Sequence, residues 1–470
     1  MSWLRRLKLG GSAEHEGETP RNAAAIASYH QGLTEGDVAQ ASAEVLETLL
    51  RQEGLFFGDR ALCSVLRPRF LSIDEYRHIA AASRCVASAF ESVRRAAMKD
   101  DALRAQFGLT SWEEQLIHAD PGFPVASPTS RLDAFWGNGP DGLKFTEYNA
   151  ETPAGGAYND ALSRVFMAMP AMHAFNRSHF AVPLPSAPAI IHSLLSAFHA
   201  WRGVREKPSI VILDWKEVPT RSEFELFEKE FAALGIEAFI GDPRDAEFSN
   251  GQFTVGGRYA NLIYKRVLID ELVTRAGLES PVVRAVRAGA VCMVNPFRCK
   301  MLHKKASLAV VSDERQADLL TGQERAAVAA HVPWTRLVEE RRTDHDGKSV
   351  DLVEFTSAHR EGLVLKPNDE YGGKGIVLGW TVDDDTWQAA IRTALSEPYI
   401  VQERVEVPSE GWPAMVGGAL HIGERMLDTA PFLADGTIMT GCLTRIATDP
   451  LLNVTSGGGS NVPTFLVEQR

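Results

Sequence analysis

The segment GLVLKPNDEYGGKGIVLGW, residues 362–380, places a glycine-rich turn between two apolar runs. Glycine permits the backbone conformations that point successive N–H groups at one anion, so the pattern predicts a hairpin whose tip closes over a phosphate. Lys366 ends the first run beside this tip, where a merely solvated lysine is unusual. A tight turn with a solvated lysine is the alternative. The candidate anion-binding residues of the turn are Gly372, Gly373, Lys374 and Gly375.

Two common nucleotide-binding motifs are absent from the sequence. No GxxxxGK[ST] occurs, and no GxGxxG opens a helix, so neither a P-loop ATPase nor a dinucleotide-binding fold is expected. The turn resembles part of a kinase glycine loop. In kinases, however, the phosphate lysine follows that loop, whereas Lys366 precedes it.

A second polar motif is KFTEYNA, residues 144–150, which has the composition of a strand. Side chains alternate along a strand, so Glu147 and Asn149 are expected on the same face. Two oxygen donors on one face suit Mg²⁺, which also takes ligands from water and substrate phosphates. Glu370 in the glycine turn is the candidate third ligand. The polar face of a surface strand is the alternative.

Three arginines stand in strand-like contexts and could grip a carboxylate or a phosphate. Arg131 lies in SRLD, Arg266 in IYKRVL and Arg445 in CLTRIA. Each of them alone also fits an ion-paired surface arginine. Residues 453–464, NVTSGGGSNVPT, add another glycine-rich loop after Arg445.

The pattern of apolar residues changes along the chain. Residues 23–99 have helical periodicity, and 74–98 form its longest run. The strand SIVILD at 209–214, a helix at 222–234 and a strand at 236–241 predict a small doubly wound sheet, followed by a hairpin at 253–259 and a strand at 260–268. The last third looks like α+β, with helices predicted at 302–311, 322–330 and 387–395 and strands at 362–367, 373–380, 398–405 and 414–422.

Composition excludes several classes of protein. The 470 residues include 49 Lys and Arg against 61 Asp and Glu, a formal net charge of −12, so no nucleic-acid partner is expected. A small anionic ligand remains compatible, because it needs only a locally positive pocket. The five cysteines form no CxxC pair, which fits a reducing cytoplasm. No apolar run is long enough to predict a membrane partner, and residues 1–20 are predicted to be a flexible tail.

These pieces, in this order, resemble the circularly permuted ATP-grasp superfamily. The similarity is to its type 2 branch, the glutathionylspermidine-synthase-like proteins, and more distantly to eukaryotic glutathione synthetase. It covers roughly residues 131–465. In ordinary ATP-grasp enzymes the metal strand follows the phosphate loop, whereas KFTEYNA precedes it here. The supporting motifs are RLD, KFTEYNAETPAGG, IYKRVL, NPFRCKMLHKKA, VPWTR, VLKPNDEYGGKGIVLG, YIVQERV and the terminal R-x(7)-N-V-T-S-G-G-G.

The resemblance implies a role for each matching residue. Lys305, with Lys304 as the fallback, and Lys366 match the lysines that hold ATP phosphates. Arg131 matches the arginine at the reacting carboxylate, while Arg266 and Arg445 resemble arginines that grip the acceptor substrates. Glu147, Asn149 and Glu370 match the magnesium ligands, and Gly372, Gly373 and Gly375 match the loop over the phosphates. The adenine hinge corresponds to Gln402, Glu403, Arg404 and Val405.

The expected fold is therefore α+β and α/β, a circularly permuted ATP-grasp with a small inserted doubly wound domain. We expect a tail (1–20), a helical region with the metal strand (21–205), a substrate-side α/β domain (206–290) and a nucleotide-binding region with a glycine-rich lid (291–470).

The expected activity is ATP- and Mg²⁺-dependent joining of a small-molecule or peptide carboxylate to an amine through an acyl phosphate, with release of ADP and phosphate. The relatives suggest a homodimer. A phosphotransferase and a non-catalytic nucleotide-binding module are the alternatives. The first 120 residues show no catalytic-cysteine amidase domain like that of bifunctional relatives, and neither glutathione nor spermidine is supported as a substrate.

Overall fold

The computed structural model describes residues 21–137, 142–370, 373–448 and 459–470. The predicted tail, Gly372 and residues 453–458 of the second glycine-rich loop lie outside these residues. The described chain mixes helices with several sheets, as the sequence predicts. Among the described residues, no helix combines the length and the apolar character needed to cross a membrane.

The N-terminal region is mainly helical. Its longest helix, Ile73–Ala97, begins at a capping box in which Ser72 accepts from the Glu75 backbone N–H and Glu75 accepts in return. The apolar face of this helix packs on the large sheet described next, where Phe90 contacts Tyr148 with ring centroids 4.9 Å apart. The other elements here are helices Arg21–Leu33, Val38–Glu53, Asp101–Ala105 and Ser111–Ile117 and the strand pair Phe56–Phe57 and Arg60–Ala61.

A nine-stranded sheet, called the large sheet below, joins distant parts of the chain. Thr129–Trp136 lies between Leu143–Asn149 and Ala430–Ala434, so the strand that carries Glu147 is at one edge. Helices Gly156–Ala168, Pro170–Phe175 and Ala187–Arg202 follow that strand along the chain. The remaining strands of the sheet are Arg69–Leu71, His179–Pro183, Ser409–Val416, Ala419–Leu427, Ile438–Ala447 and Ser460–Gln469.

A second sheet is parallel, and its strand order is Cys292–Val294, Leu262–Lys265, Ser209–Leu213, Glu237–Gly241. Three of its strands are buried apolar runs, as expected when helices cover both faces, and the edge strand Glu237–Gly241 is only partly buried. Arg221–Ala233 is the crossover helix between the first two strands in sequence. This sheet corresponds to the predicted doubly wound unit. It also includes the strand Cys292–Val294, which lies beyond the boundary expected at residue 290. Helices Ile269–Ala276 and Pro281–Arg287 and strands Ala246–Ser249, Gln252–Val255 and Arg258–Tyr259 complete this part.

A four-stranded antiparallel sheet, called the small sheet below, carries the glycine-rich turn. Its strand order is Thr335–Leu337, Tyr399–Glu403, Leu363–Pro367, Val377–Leu378. Trp387 on helix Asp384–Ser396 is fully buried against it. Neighbouring elements are helices Lys300–His303, Ala306–Val311, Gly322–His331 and Leu352–Ala358 and the hairpin of Arg342–His345 with Lys348–Asp351.

Three local predictions are corrected. Residues 414–422 are not one strand: Gly417 and Gly418, both at positive φ, form a turn that pairs Val416 with Ala419. The helix predicted at 302–311 is interrupted at Lys304 and Lys305, between Lys300–His303 and Ala306–Val311. Only Val377–Leu378 of the strand predicted at 373–380 pairs with its neighbour.

Candidate functional site

A cleft with a volume of about 190 Å³ lies between the large sheet and the small sheet. One wall comes from the strands that carry Asp133 and Glu147, and the other comes from the glycine hairpin and the strand ending at Glu403. Apolar side chains line the second wall, so the cleft has a charged side and an apolar side. The lining residues from the small sheet and its extension are Val364, Lys366, Gly373, Ile376, Leu378, Trp380, Gln402, Glu403, Val405 and Val407.

Lys366 lies between the two walls. Its Nζ donates to Gln402 Oε1 at 2.6 Å and to the Thr146 backbone oxygen at 3.3 Å. Burial lowers the pKa of this ammonium to about 8, against the opposing effect of the Glu147 carboxylate. A lysine with this pKa is charged at pH 7 but loses its charge above about pH 8, and an anionic ligand would favour the charged form.

The structure separates the two lysines that the sequence left as alternatives. Lys305 Nζ lies 3.4 Å from Glu147 Oε1 and donates to the Glu370 backbone oxygen at 2.6 Å. Lys304 Nζ instead contacts Glu113 Oε2 at 2.9 Å and Asp369 Oδ2 at 3.1 Å, away from Glu147. Of the two, Lys305 is therefore the one beside the predicted metal strand.

Asp133 is a polar residue of this cleft to which the sequence analysis gave no separate role. It pairs directly across from Glu147, and Arg131 pairs across from Asn149. Its carboxylate accepts from Arg131 Nε at 2.6 Å, from Arg131 Nη2 at 2.9 Å and from Asn149 Nδ2 at 2.9 Å. Burial by itself raises the pKa of Asp133, but Arg131 and Arg445 outweigh it and lower the pKa to about 2. The Arg-x-Asp spacing, which puts both on one strand face, is the signal that could have identified it.

Asp428 is the second residue that the sequence analysis missed. It is buried and holds Arg445, whose Nε donates to Asp428 Oδ2 at 2.6 Å while its Nη2 donates to Asp133 Oδ2 at 2.7 Å. Burial raises the pKa of Asp428 against the opposing pull of Arg445. Arg445 thus lines the cleft, as expected for a substrate-gripping arginine, but two carboxylates already engage it.

Of the three predicted metal ligands, Glu147 lines the cleft, whereas Asn149 and Glu370 are not among its lining residues. Glu147 has a lowered pKa: burial would raise it, and Lys305 is the strongest of the groups that lower it. Glu370 pairs with Lys374, with Oε2 and Nζ 3.2 Å apart. In the described residues, no three His, Cys, Asp or Glu side chains converge as a preformed metal cluster.

The glycine hairpin and the hinge frame the apolar side of the cleft. Gly373 and Gly375 have backbone φ angles of 79° and 71°, which residues with a side chain rarely adopt. Gln402 is oriented by donating from Nε2 to Thr335 Oγ1 at 3.0 Å. Along the hinge, the Arg404 guanidinium carbon lies 4.1 Å from the Trp380 ring centroid, and Val405 lines the cleft.

Arg266 is placed elsewhere, at the carboxyl end of the parallel-sheet strand Leu262–Lys265. Its Nη1 donates to the Pro153 backbone oxygen at 2.7 Å, and its Nη2 lies 3.2 Å from Glu223 Oε2. Glu223 also accepts from the Gly155 backbone N–H at 2.7 Å. Arg266 is therefore buried and braces the loop after the metal strand, and it is not among the residues that line the cleft.

Comparison with known proteins bears on the fold only. No family profile matches the chain, and no curated protein matches it. Solved structures do match, among them a glutathione synthetase-like effector from Globodera pallida in its apo form. That structure has a TM-score of 0.59 and 12% sequence identity, and the match covers 92% of this chain and 98% of that chain. The likeness indicates a glutathione synthetase-like fold of mixed helices and sheets.

Proposed function

We propose that the protein is an ATP-grasp ligase that joins a carboxylate to an amine and releases ADP and phosphate. The observation that carries the proposal is the meeting of two sets of residues at one cleft. Lys305 and Lys366 lie beside the base of a glycine-rich hairpin, and Asp133 and Glu147 face them from the large sheet. Lysines and backbone N–H groups on one side of the cleft suit the phosphates of a nucleotide. Carboxylates on the other side suit the divalent metal that accompanies those phosphates.

The nucleotide is proposed to lie with its phosphates near Lys305, Lys366 and the hairpin. Its base would lie against the apolar residues of the small sheet, such as Leu378 and Trp380, with Gln402, Glu403, Arg404 and Val405 at its edge. Lys374 on the hairpin is exposed and close to Glu370, so it would meet the phosphates only if the hairpin folds over them.

Mg²⁺ is the proposed metal, and the donor chemistry fits it. Asp133, Glu147, Asn149 and Glu370 offer carboxylate and amide oxygens, the ligands that Mg²⁺ prefers. Mg²⁺ is usually held by one or two carboxylates together with substrate phosphates, so it would not require all four of these residues. When bound, the metal would neutralise charge on the phosphates.

The remaining charges suit transfer of a phosphoryl group to a carboxylate. Such a transfer needs alignment and charge neutralisation rather than a covalent protein nucleophile. Lys305 and Lys366 would hold the transferred group, and Arg131, buried next to Asp133, would steady the reacting carboxylate. Arg445 would orient a substrate, with Arg266 holding the loop behind it. The glycine hairpin would keep water from the acyl phosphate until the amine attacks.

Four finer assignments belong to the same proposal. The metal strand precedes the glycine hairpin in sequence but faces it across the cleft, which supports the permuted, glutathionylspermidine-synthase-like branch. Small-molecule or peptide substrates, a cytoplasmic location and a homodimer are proposed with it.

The test is a product analysis with purified protein, ATP, Mg²⁺ and a pool of amino acids and polyamines. We expect ADP and phosphate together with a condensed product, which weighs one water less than its two components. Lys366→Met should abolish turnover, whereas Lys229→Met, at an exposed lysine of the parallel-sheet domain, should not. AMP and pyrophosphate would refute the acyl-phosphate route. A product that only gains phosphate would indicate a phosphotransferase, and the absence of any nucleotide turnover would indicate a binding module.

A further inference from the structure

Beneath the cleft lies a set of buried charges that the proposed chemistry does not use. Three carboxylates and three ammonium groups contact one another within 4 Å and balance in charge. We call this set the buried ionic cluster. Its members come from helix Ser111–Ile117, the loop after the metal strand, the parallel sheet, the segment 300–304 and the base of the glycine hairpin: Glu113, Glu151, Lys265, Lys300, Lys304 and Asp369. All of them are buried except Asp369, which is half-buried.

Two lysines of the cluster sit four residues apart and share two partners, Asp369 and Glu113. Lys300 Nζ lies 2.8 Å from Asp369 Oδ1, and Lys304 Nζ lies 3.1 Å from Asp369 Oδ2. Glu113 is closer to Lys304, at 2.9 Å, than to Lys300, at 3.8 Å. Only Lys300 of the two contacts Glu151, with its Nζ 3.5 Å from Glu151 Oε2. Both side chains are almost fully buried.

The positions of these partners in the sequence connect the cluster to the predicted metal ligands. Glu151 stands two residues after Asn149, at the end of the metal strand, and Asp369 directly precedes Glu370. Lys300 therefore bridges a residue that follows Asn149 of the large sheet and a residue that precedes Glu370 at the base of the hairpin. Lys304 shares only the Asp369 side of that bridge.

We infer that Lys300 is a positioning residue that sets the spacing between Glu147 and Asn149 on the large sheet and Glu370 at the base of the hairpin. The inference rests on the proposed function, because it assigns the bridge to the proposed Mg²⁺ site. A buried ammonium between two carboxylates is held by both of them, and Lys300 is the one ammonium of the cluster that contacts both Glu151 and Asp369. Removing this bridge should let the hairpin base move relative to the metal strand.

Binding of Mn²⁺ together with a non-hydrolysable ATP analogue, AMP-PNP, tests the inference without relying on turnover. Paramagnetic resonance reports bound Mn²⁺, and calorimetry measures AMP-PNP affinity with Mn²⁺ and with a chelator. For the wild-type protein we expect Mn²⁺ to increase AMP-PNP affinity. Lys300→Met should reduce this increase at least tenfold and leave the affinity in chelator nearly unchanged. Lys300→Arg, which keeps the charge, should restore part of it.

Lys304→Met is the matched control. It removes one positive charge from the same cluster and one contact to Asp369, so thermal unfolding should show a similar loss of stability in both variants. Its Mn²⁺-dependent increase in affinity should stay within threefold of the wild type. Equal metal dependence in Lys300→Met and wild type would overturn the inference and leave the proposed function intact. The same conclusion would follow if the two methionine variants lost metal dependence equally. If the wild type bound no AMP-PNP, both the inference about Lys300 and the proposed function would be refuted.

Discussion

The pH dependence of nucleotide binding should follow the charge of Lys366. Burial lowers the pKa of its ammonium from the ordinary 10.5 to about 8, with Glu147 opposing and Lys305 reinforcing the shift. If only the protonated form holds phosphate, the competent fraction falls from about nine-tenths at pH 7 to about one-tenth at pH 9. AMP-PNP affinity should then drop about tenfold between these pH values, or about 1.4 kcal/mol.

The drop in AMP-PNP affinity cannot come from a loss of stability caused by the titration of Lys366. Because the folded-state pKa lies below the unfolded value, the folded protein binds fewer protons than the unfolded chain between pH 8 and 10.5. The contribution of Lys366 to the free energy of unfolding therefore rises with pH in that window. The effect of this residue on affinity and its effect on stability should thus have opposite signs.

Calorimetric titration with AMP-PNP at fixed Mg²⁺ and ionic strength, at pH 7, 8 and 9, measures the effect. Lys366→Arg is the control, because a guanidinium stays charged throughout. The ratio of its affinities at pH 7 and pH 9 should be close to one, even if its absolute affinity differs. A flat wild-type profile would refute the assignment of Lys366 to the phosphates, and so would a tenfold drop that persists in the arginine variant.

Three further outcomes follow from packing and burial. Arg266→Met leaves Glu223 buried without its guanidinium partner, so urea unfolding should show a loss of about 3–5 kcal/mol, and a loss below about 1 kcal/mol would contradict the bracing role. Trp387→Ala removes a fully buried side chain behind the small sheet, so the same assay should show a loss of about 3–5 kcal/mol in the free energy of unfolding. An unchanged free energy of unfolding would contradict this burial. Cys85 is the half-buried cysteine and the other four of the five are buried, so a thiol reagent should label about one cysteine in the native protein and all five in denaturant; rapid native labelling of more than one would contradict the packing.

Local sequence signals predicted the local parts of the site. The glycine hairpin was predictable because its two strands are adjacent in sequence and its turn glycines are diagnostic. The same reasoning failed at 414–422, where an apolar run concealed a turn. The signal was present there, since Gly417 and Gly418 form the kind of dipeptide that favours a two-residue hairpin loop.

The contacts that complete the site could not be predicted in this way. Arg445 reaches Asp133 across 312 residues of sequence, and no local pattern specifies that pairing. Likewise, Lys304 and Lys305 are neighbours in the sequence, where Lys304 was the fallback for Lys305, and only their contacts, with Asp369 for Lys304 and with Glu147 for Lys305, distinguish them. Arg266 was predicted from its motif as a substrate contact, while the placement of Glu223 beside it depends on the parallel-sheet fold.

The strand Ser460–Gln469 has a consequence for the way the protein is made. It pairs with Ile438–Ala447, with Arg69–Leu71 and with His179–Pro183, so it joins the first half of the chain to the last. On the ribosome, nearly three hundred further residues follow His179–Pro183, and nearly four hundred follow Arg69–Leu71, before this partner is synthesised. Such pairing is slow and leaves apolar surface open to aggregation meanwhile. The large sheet is thus completed only after residue 460 has been synthesised, and a nascent chain halted before that residue holds its early strands without their common partner.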